Sequence, residues 1–157
     1  MGNAGIQHTN ALTETPEGLE GLEGLESTFA VNVLANHLFV RLLQDRFRAP
    51  ARIVITTSDT HFGDVRHNMG MVPGPVRASP GVLARPGAFA GPGTAAAGRT
   101  AYATSEPATL CLVHAYARPL PAGIDAVACK AGFVPGTGLA RTPARSPGSP
   151  WAASCRR

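Results

Sequence analysis

The sequence has almost no lysine, few aromatic residues and no long hydrophobic run. Lys130 is its one lysine, so the net charge of +4 comes almost entirely from arginine. The arginines are scattered, with a local pair only at Arg156 and Arg157, and they form no basic stripe that could hold phosphates. No segment approaches the roughly 18 apolar residues that cross a bilayer. These absences predict neither a nucleic-acid partner nor a membrane span.

Cysteine is also scarce, and its spacing excludes the usual cysteine sites. Cys111, Cys129 and Cys155 form no C-x-x-C pair and no cysteine–histidine pattern typical of zinc, so we expect no metal. The opening segment, MGNAGIQHTN, lacks the charged and apolar regions of a signal peptide. An odd number of cysteines without such a signal favours reduced thiols in a cytoplasmic protein.

The chain is long enough for one domain with a hydrophobic core. Apolar residues at spacings of three and four alternate with short β-branched runs, which predicts an α/β fold with parallel pairing. The proposed order is a strand end within 1–16, a helix over 27–48 capped by Ser27, a strand over 52–57, a long loop over 62–98, a helix over 100–118, a strand over 124–129 and a disordered tail over 141–157.

Five short segments carry a resemblance to a known family. They are NAGI at 3–6, FAVNVLANHLF at 29–39, RIVITTSDTH at 52–61, YATSE at 102–106 and AGFVPGTGL at 131–139. Their order and local context resemble the short-chain dehydrogenase/reductase (SDR) family, especially its retinol-dehydrogenase-like branch. The resemblance implies that residues 1–140 form part of an SDR domain, with a partial Rossmann-like parallel sheet and flanking helices.

The resemblance also implies a chemistry, namely hydride transfer between NAD or NADP and a carbonyl or alcohol substrate. Tyr102 would be the general acid/base, Ser58 would orient the substrate oxygen, and Asn32 would hold a water of the proton relay. The residues implied to lie beside the cofactor are Asn3, Ala4, Gly5, Gly132, Val134 and Thr137.

The sequence departs from the family pattern at Glu106, where the family has a lysine that lowers the pKa of the tyrosine. A carboxylate raises that pKa instead. Pro107 follows within the predicted helix, where proline costs about 3 kcal/mol. We also expect the N-terminal half of the family's domain to be missing, and with it the glycine-rich G-x-x-x-G-x-G turn that seats the pyrophosphate.

Three functional interpretations follow from these departures. The first is an oxidoreductase impaired by truncation and by Glu106. The second is a catalytically inactive remnant that acts, if at all, through a homo- or heterodimer formed by helices 27–48 and 100–118. The third is a structural domain unrelated to the family. Cofactor binding is expected only from the first, and association without cofactor is expected from the second.

Overall fold

A computed structural model of the protein describes residues 1–15, 24–68, 70, 72–130, 132 and 139–141. The four strands are β1 (Gln7–His8), β2 (Ala51–Thr57), β3 (Ile124–Lys130) and β4 (Ala140–Arg141). The helices are α1 (Ser27–Phe29), α2 (Ala35–Leu43), α3 (Val65–Asn68), α4 (Pro80–Leu83) and α5 (Ala95–Ala117), with a π-helical turn at Ala30–Leu34 and 3₁₀ turns at Gln44–Arg46, Asp59–Phe62 and Pro86–Ala88.

Strands β2 and β3 form a parallel pair that confirms the two strands predicted from β-branched runs. Their register runs from Ala51 opposite Ile124 to Thr57 opposite Lys130. The chain start lies along the other edge of β2, where the Gly2 N–H donates to the Val54 carbonyl at 2.7 Å. A second parallel pair joins β1 to β4. The described chain is therefore mixed α/β with small parallel sheets.

Helix α1, the π-helical turn and α2 follow one another without a break and form the first helical segment, residues 27–43. This segment confirms the amphipathic helix predicted over 27–48, but its bounds and its cap differ. It ends at Leu43 and continues only as a 3₁₀ turn, and the predicted Ser27 cap is wrong. Glu26 caps the helix instead, because its carboxylate accepts from the N–H groups of Thr28 at 2.9 Å and Phe29 at 2.7 Å. Glu26 is fully buried, and that burial raises its pKa.

Helix α5 is longer than the helix predicted over 100–118, since it begins at Ala95 with Thr94 as its cap. Pro107 lies inside the helix without ending it. Its local cost of about 3 kcal/mol is therefore offset by packing elsewhere. The segment 62–98 is not one long loop, because it contains α3, α4 and the start of α5.

The core lies where α2 and α5 cover the β2–β3 sheet. Its central side chains are Val40, Ile53, Ile55, Val113 and Tyr116. A second cluster around Phe29 and Leu83 joins α1 to α4. No helix in the described ranges is long and apolar enough to cross a membrane.

Candidate active site

The carboxyl end of β2 meets the middle of α5, and this junction brings three predicted site residues together. Ser58 directly follows the strand, while Tyr102 and Glu106 lie one turn apart on the same face of α5. The side chains of both Ser58 and Glu106 lie close enough to the Tyr102 phenol to shift its pKa. Tyr102 and Glu106 are only 7% and 5% exposed. The structure therefore brings Ser58, Tyr102 and Glu106 together in one cluster.

Glu106 is held by more partners than sequence alone could assign. The Thr57 hydroxyl donates to its carboxylate at 2.9 Å, and the backbone of Ser58 lies nearby. Burial raises the pKa of Glu106 to about 7 and outweighs the lowering by Thr57, Ser58 and Tyr102. Glu106 therefore takes up a proton at a higher pH than an exposed glutamate does.

The pKa of the Tyr102 phenol is raised above its ordinary value, which disfavours ionisation. Burial raises its pKa most, and the Glu106 carboxylate raises it further, while the nearby Ser58 side chain lowers it in part. Lys130 lies at the same end of the sheet, but its ammonium is 2.6 Å from the Asp59 carboxylate. The phenol therefore stays protonated at neutral pH and can donate a hydrogen bond, but it is a poor base.

Asn32 lies in the π-helical turn, and its side chain and carbonyl form hydrogen bonds with other segments of the protein. Its side-chain amide accepts from the Ile6 N–H at 2.9 Å and donates to the Ile6 carbonyl at 3.1 Å and the Ser105 hydroxyl at 3.0 Å. Its backbone carbonyl accepts from the side chains of Asn36 and Thr109. These contacts give Asn32 a structural role that joins the N-terminal segment to α5, beside its predicted place in a relay.

Replacing Asn32 with alanine is expected to lower the free energy of unfolding by about 2 kcal/mol, because the Ile6 backbone groups and the Ser105 hydroxyl lose their partner. Urea denaturation followed by circular dichroism measures this change. Asn10→Ala is the matched control, since Asn10 is exposed and its side chain accepts from the N–H of its neighbour Ala11. Equal stability of the two variants would refute the structural role.

Four of the six residues predicted to lie beside a dinucleotide fall within the described chain. The Asn3 amide oxygen accepts from the Thr56 hydroxyl at 2.7 Å, and Ala4 is exposed. A Cβ added at Gly5 would make ordinary van der Waals contacts with Leu139 at 3.6 Å and Asn32 at 3.7 Å. Gly132 is exposed with a positive φ of 73°. Val134 and Thr137 lie outside the described residues.

The expectation that the sequence lacks the family's glycine spacing needs correction. The spacing occurs twice, at Gly87, Gly91 and Gly93 and at Gly132, Gly136 and Gly138. The first set precedes α5, but its first glycine lies within the Pro86–Ala88 3₁₀ turn and not after a strand. It therefore lacks the strand–turn–helix context that makes such spacing a phosphate site. The second set follows β3, and residues 133–138 lie outside the described part of the chain.

Sequence reasoning missed Thr57 and Ser105, which bind Glu106 and Asn32 respectively. Thr57 directly precedes the predicted Ser58, and Ser105 directly precedes the predicted Glu106. Their position next to predicted site residues was the one sequence feature that could have identified them. Among the described residues, no group of three or more histidine, cysteine or acidic side chains could hold a metal ion. The described cluster is therefore a hydroxyl–carboxyl site.

Comparisons with known proteins identified no relative of this chain. No family model matches the chain, and neither a curated protein nor a solved structure matches it. The SDR resemblance therefore depends on the segments and residues described above.

Proposed function

We propose that this chain is a domain of the SDR type, with a partial Rossmann-like sheet, in which oxidoreductase chemistry on a carbonyl or alcohol substrate is impaired. The observation that carries the proposal is the cluster of Ser58 with the buried side chains of Tyr102 and Glu106 at the carboxyl end of a parallel strand, where the Thr57 hydroxyl donates to Glu106. Ligand sites in open α/β sheets lie at this end of the strands. The unpaired, exposed cysteines Cys111 and Cys129 fit a reducing, cytoplasmic setting.

The impairment follows from the charge at position 106. Alcohol oxidation needs a base to take the hydroxyl proton, and a phenol with a raised pKa is a poor one. The reverse reaction, carbonyl reduction, needs a proton donor, which a protonated Tyr102 can still provide with Ser58 orienting the oxygen. NAD or NADP would supply or accept the hydride. The contacts of Asn3 and Gly5 link neither residue to a dinucleotide, so we assign no step to one.

Substituting lysine at position 106 tests whether this position controls the tyrosine. In a Tyr116→Phe background Tyr102 is the only tyrosine, so its ionisation can be followed by tyrosinate absorbance. Glu106→Lys is expected to bring the Tyr102 pKa below about 10, because a nearby cation favours the phenolate. Glu106→Gln, which removes the charge without adding a cation, should give a smaller decrease. An unchanged titration in Glu106→Lys would contradict the proposal.

Cofactor binding and turnover test the claim of impairment separately. Titration of the purified chain with NADH and with NADPH, followed by nicotinamide fluorescence, is expected to show no saturable binding up to millimolar cofactor. Glu106→Lys is expected to show no turnover, because the lysine supplies no phosphate site. Micromolar binding, or measurable turnover by Glu106→Lys, would show that the oxidoreductase machinery is complete.

Association without cofactor is a second candidate function, and exposed apolar side chains on α2 favour it. Leu38, Phe39 and Leu42 are 53%, 47% and 71% exposed. Such side chains on one helix are typical of a protein–protein contact surface. We expect a dimer in sedimentation velocity that Leu38→Asp combined with Leu42→Asp converts to a monomer. A monomeric parent chain would exclude this function.

A further inference from the structure

A cavity of about 670 Å³ lies between the first helical segment and α5, on a different face of α5 from Tyr102 and Glu106. Phe29, Val33 and Leu83 form one side, while Pro107 and Leu112 form the other. Its volume lies within the range of roughly 300–1,000 Å³ typical of small-molecule sites. Ser58, Tyr102 and Glu106 are not among the residues that line it.

The wall of the cavity is held in place by polar and apolar contacts. The Val76 N–H donates to the Thr104 hydroxyl at 3.0 Å, and that hydroxyl donates to the Thr100 carbonyl at 2.7 Å. Leu83 is 6% exposed and packs in one buried cluster with Phe29, which is 1% exposed. The segment that contains Val76 and Leu83 is therefore attached to α5 through Thr104 and to α1 through Phe29. The cavity is consequently formed without a ligand.

One side chain that lines the cavity, Arg77, carries a permanent charge. His37, His61 and Arg77 line it, and no acidic residue does. His61 Nδ1 donates to the Ser58 carbonyl at 2.7 Å, which fixes the ring and leaves Nε2 as the atom that can contact a ligand. Arg77 is exposed and forms no ion pair with the described residues. The cavity thus combines apolar walls with a guanidinium that has no carboxylate partner among the described residues.

We propose that this cavity binds a long-chain carboxylate, with the hydrocarbon chain against the apolar walls and the carboxylate at Arg77 and His61. Apolar walls favour a hydrocarbon chain because its burial removes apolar area from water. A guanidinium pairs with a carboxylate by charge-assisted hydrogen bonds, whereas it would repel a cationic head group. The proposal does not depend on the oxidoreductase proposal, because the two sites share no side chain that acts on the ligand.

Cys111 lines the cavity and provides a direct measure of its occupancy. With Cys129 and Cys155 replaced by serine, Cys111 is the one thiol of the chain. Its alkylation rate would be measured with hexadecanoate, hexadecanol and hexadecyltrimethylammonium below their aggregation concentrations. Hexadecanoate at about ten times its Kd is expected to slow alkylation about tenfold. The alcohol should protect less, and the ammonium compound should protect least.

Two variants separate head-group recognition from simple filling of space. Arg77→Gln is expected to weaken hexadecanoate binding about tenfold, while leaving hexadecanol unchanged. Arg85→Gln is the matched control, since Arg85 is exposed nearby but does not line the cavity. Ala115→Trp, at an exposed position on the cavity wall, should abolish protection by all three compounds. Circular dichroism checks that each variant is folded.

Three results would overturn the proposal. Equal protection by the three head groups would show that the cavity does not recognise a carboxylate. No saturable protection would show that it takes none of these ligands. Thiol protection that depends on protein concentration without any ligand would show that a second copy of the chain covers the cavity.

Discussion

Replacing Gly98 with alanine is expected to lower the free energy of unfolding by at least about 3 kcal/mol, although alanine favours a helix over glycine by about 1 kcal/mol. Gly98 is buried in α5, where the N-terminal segment crosses the helix. An added Cβ would collide with the His8 carbonyl oxygen and come within 2.9 Å of the Ala11 carbonyl oxygen. These are backbone atoms, so the clash cannot be relieved by rotation of a side chain.

Gly81→Ala is the matched control, because Gly81 also lies in a helix but an added Cβ there would have no atom within 4 Å. It should be neutral or stabilising by up to about 1 kcal/mol. Urea denaturation of both variants, followed by circular dichroism, measures the contrast. A loss of the cooperative transition in Gly98→Ala agrees with the prediction. A stabilised Gly98→Ala protein would show that the N-terminal segment does not cross α5 at this point.

The second large effect is a loss of stability as the pH rises through neutrality. The folded-state pKa of Glu106 is about 7, above its ordinary value of 4.5, so the folded protein holds this proton more tightly than the unfolded chain. The stabilisation is therefore complete below the unfolded pKa and is lost as the pH rises through 7. Between pH 5 and pH 8 this linkage amounts to about 2.5 kcal/mol.

Glu106→Gln should remove this part of the pH dependence, because the amide is neutral and can still accept from Thr57. The raised pKa of Glu26 acts in the same direction and remains in the variant. The measurement is therefore the difference between the parent chain and Glu106→Gln in urea unfolding at pH 5 and pH 8. Glu14→Gln, at an exposed position, should keep the parental dependence. The same slope in all three proteins would refute a raised Glu106 pKa.

The two long helical segments and the two paired strands β2 and β3 were predictable from local pattern, whereas the helices within 62–98 were not. The β-branched run of β2 and the spacing of apolar residues in α1 and α2 place these elements within a few residues of their observed bounds. Capping was less predictable, because Ser27 is a common cap residue and Glu26 is not. The backbone at Glu26 is held from two sides, because its N–H donates to the Ala84 carbonyl and the N–H of Ser27 donates to the Thr13 carbonyl. That choice involves contacts far along the chain.

The candidate site also combines features that the sequence predicts with features that depend on tertiary contacts. The sequence by itself determined that a serine ends a strand, that a tyrosine lies on a helix, and that a carboxylate stands one turn beyond the tyrosine. It also determined the sign of the effect of Glu106 on Tyr102, because helix spacing alone makes residues four apart neighbours. Only the tertiary structure decided that Glu106 is buried beside Thr57 and Ser58. It alone also decided that Asn32 joins Ile6 to Ser105 and that Gly98 lies against the His8 backbone. The reason is physical: burial and close approach depend on which distant segments meet, and a local pattern carries no information about them.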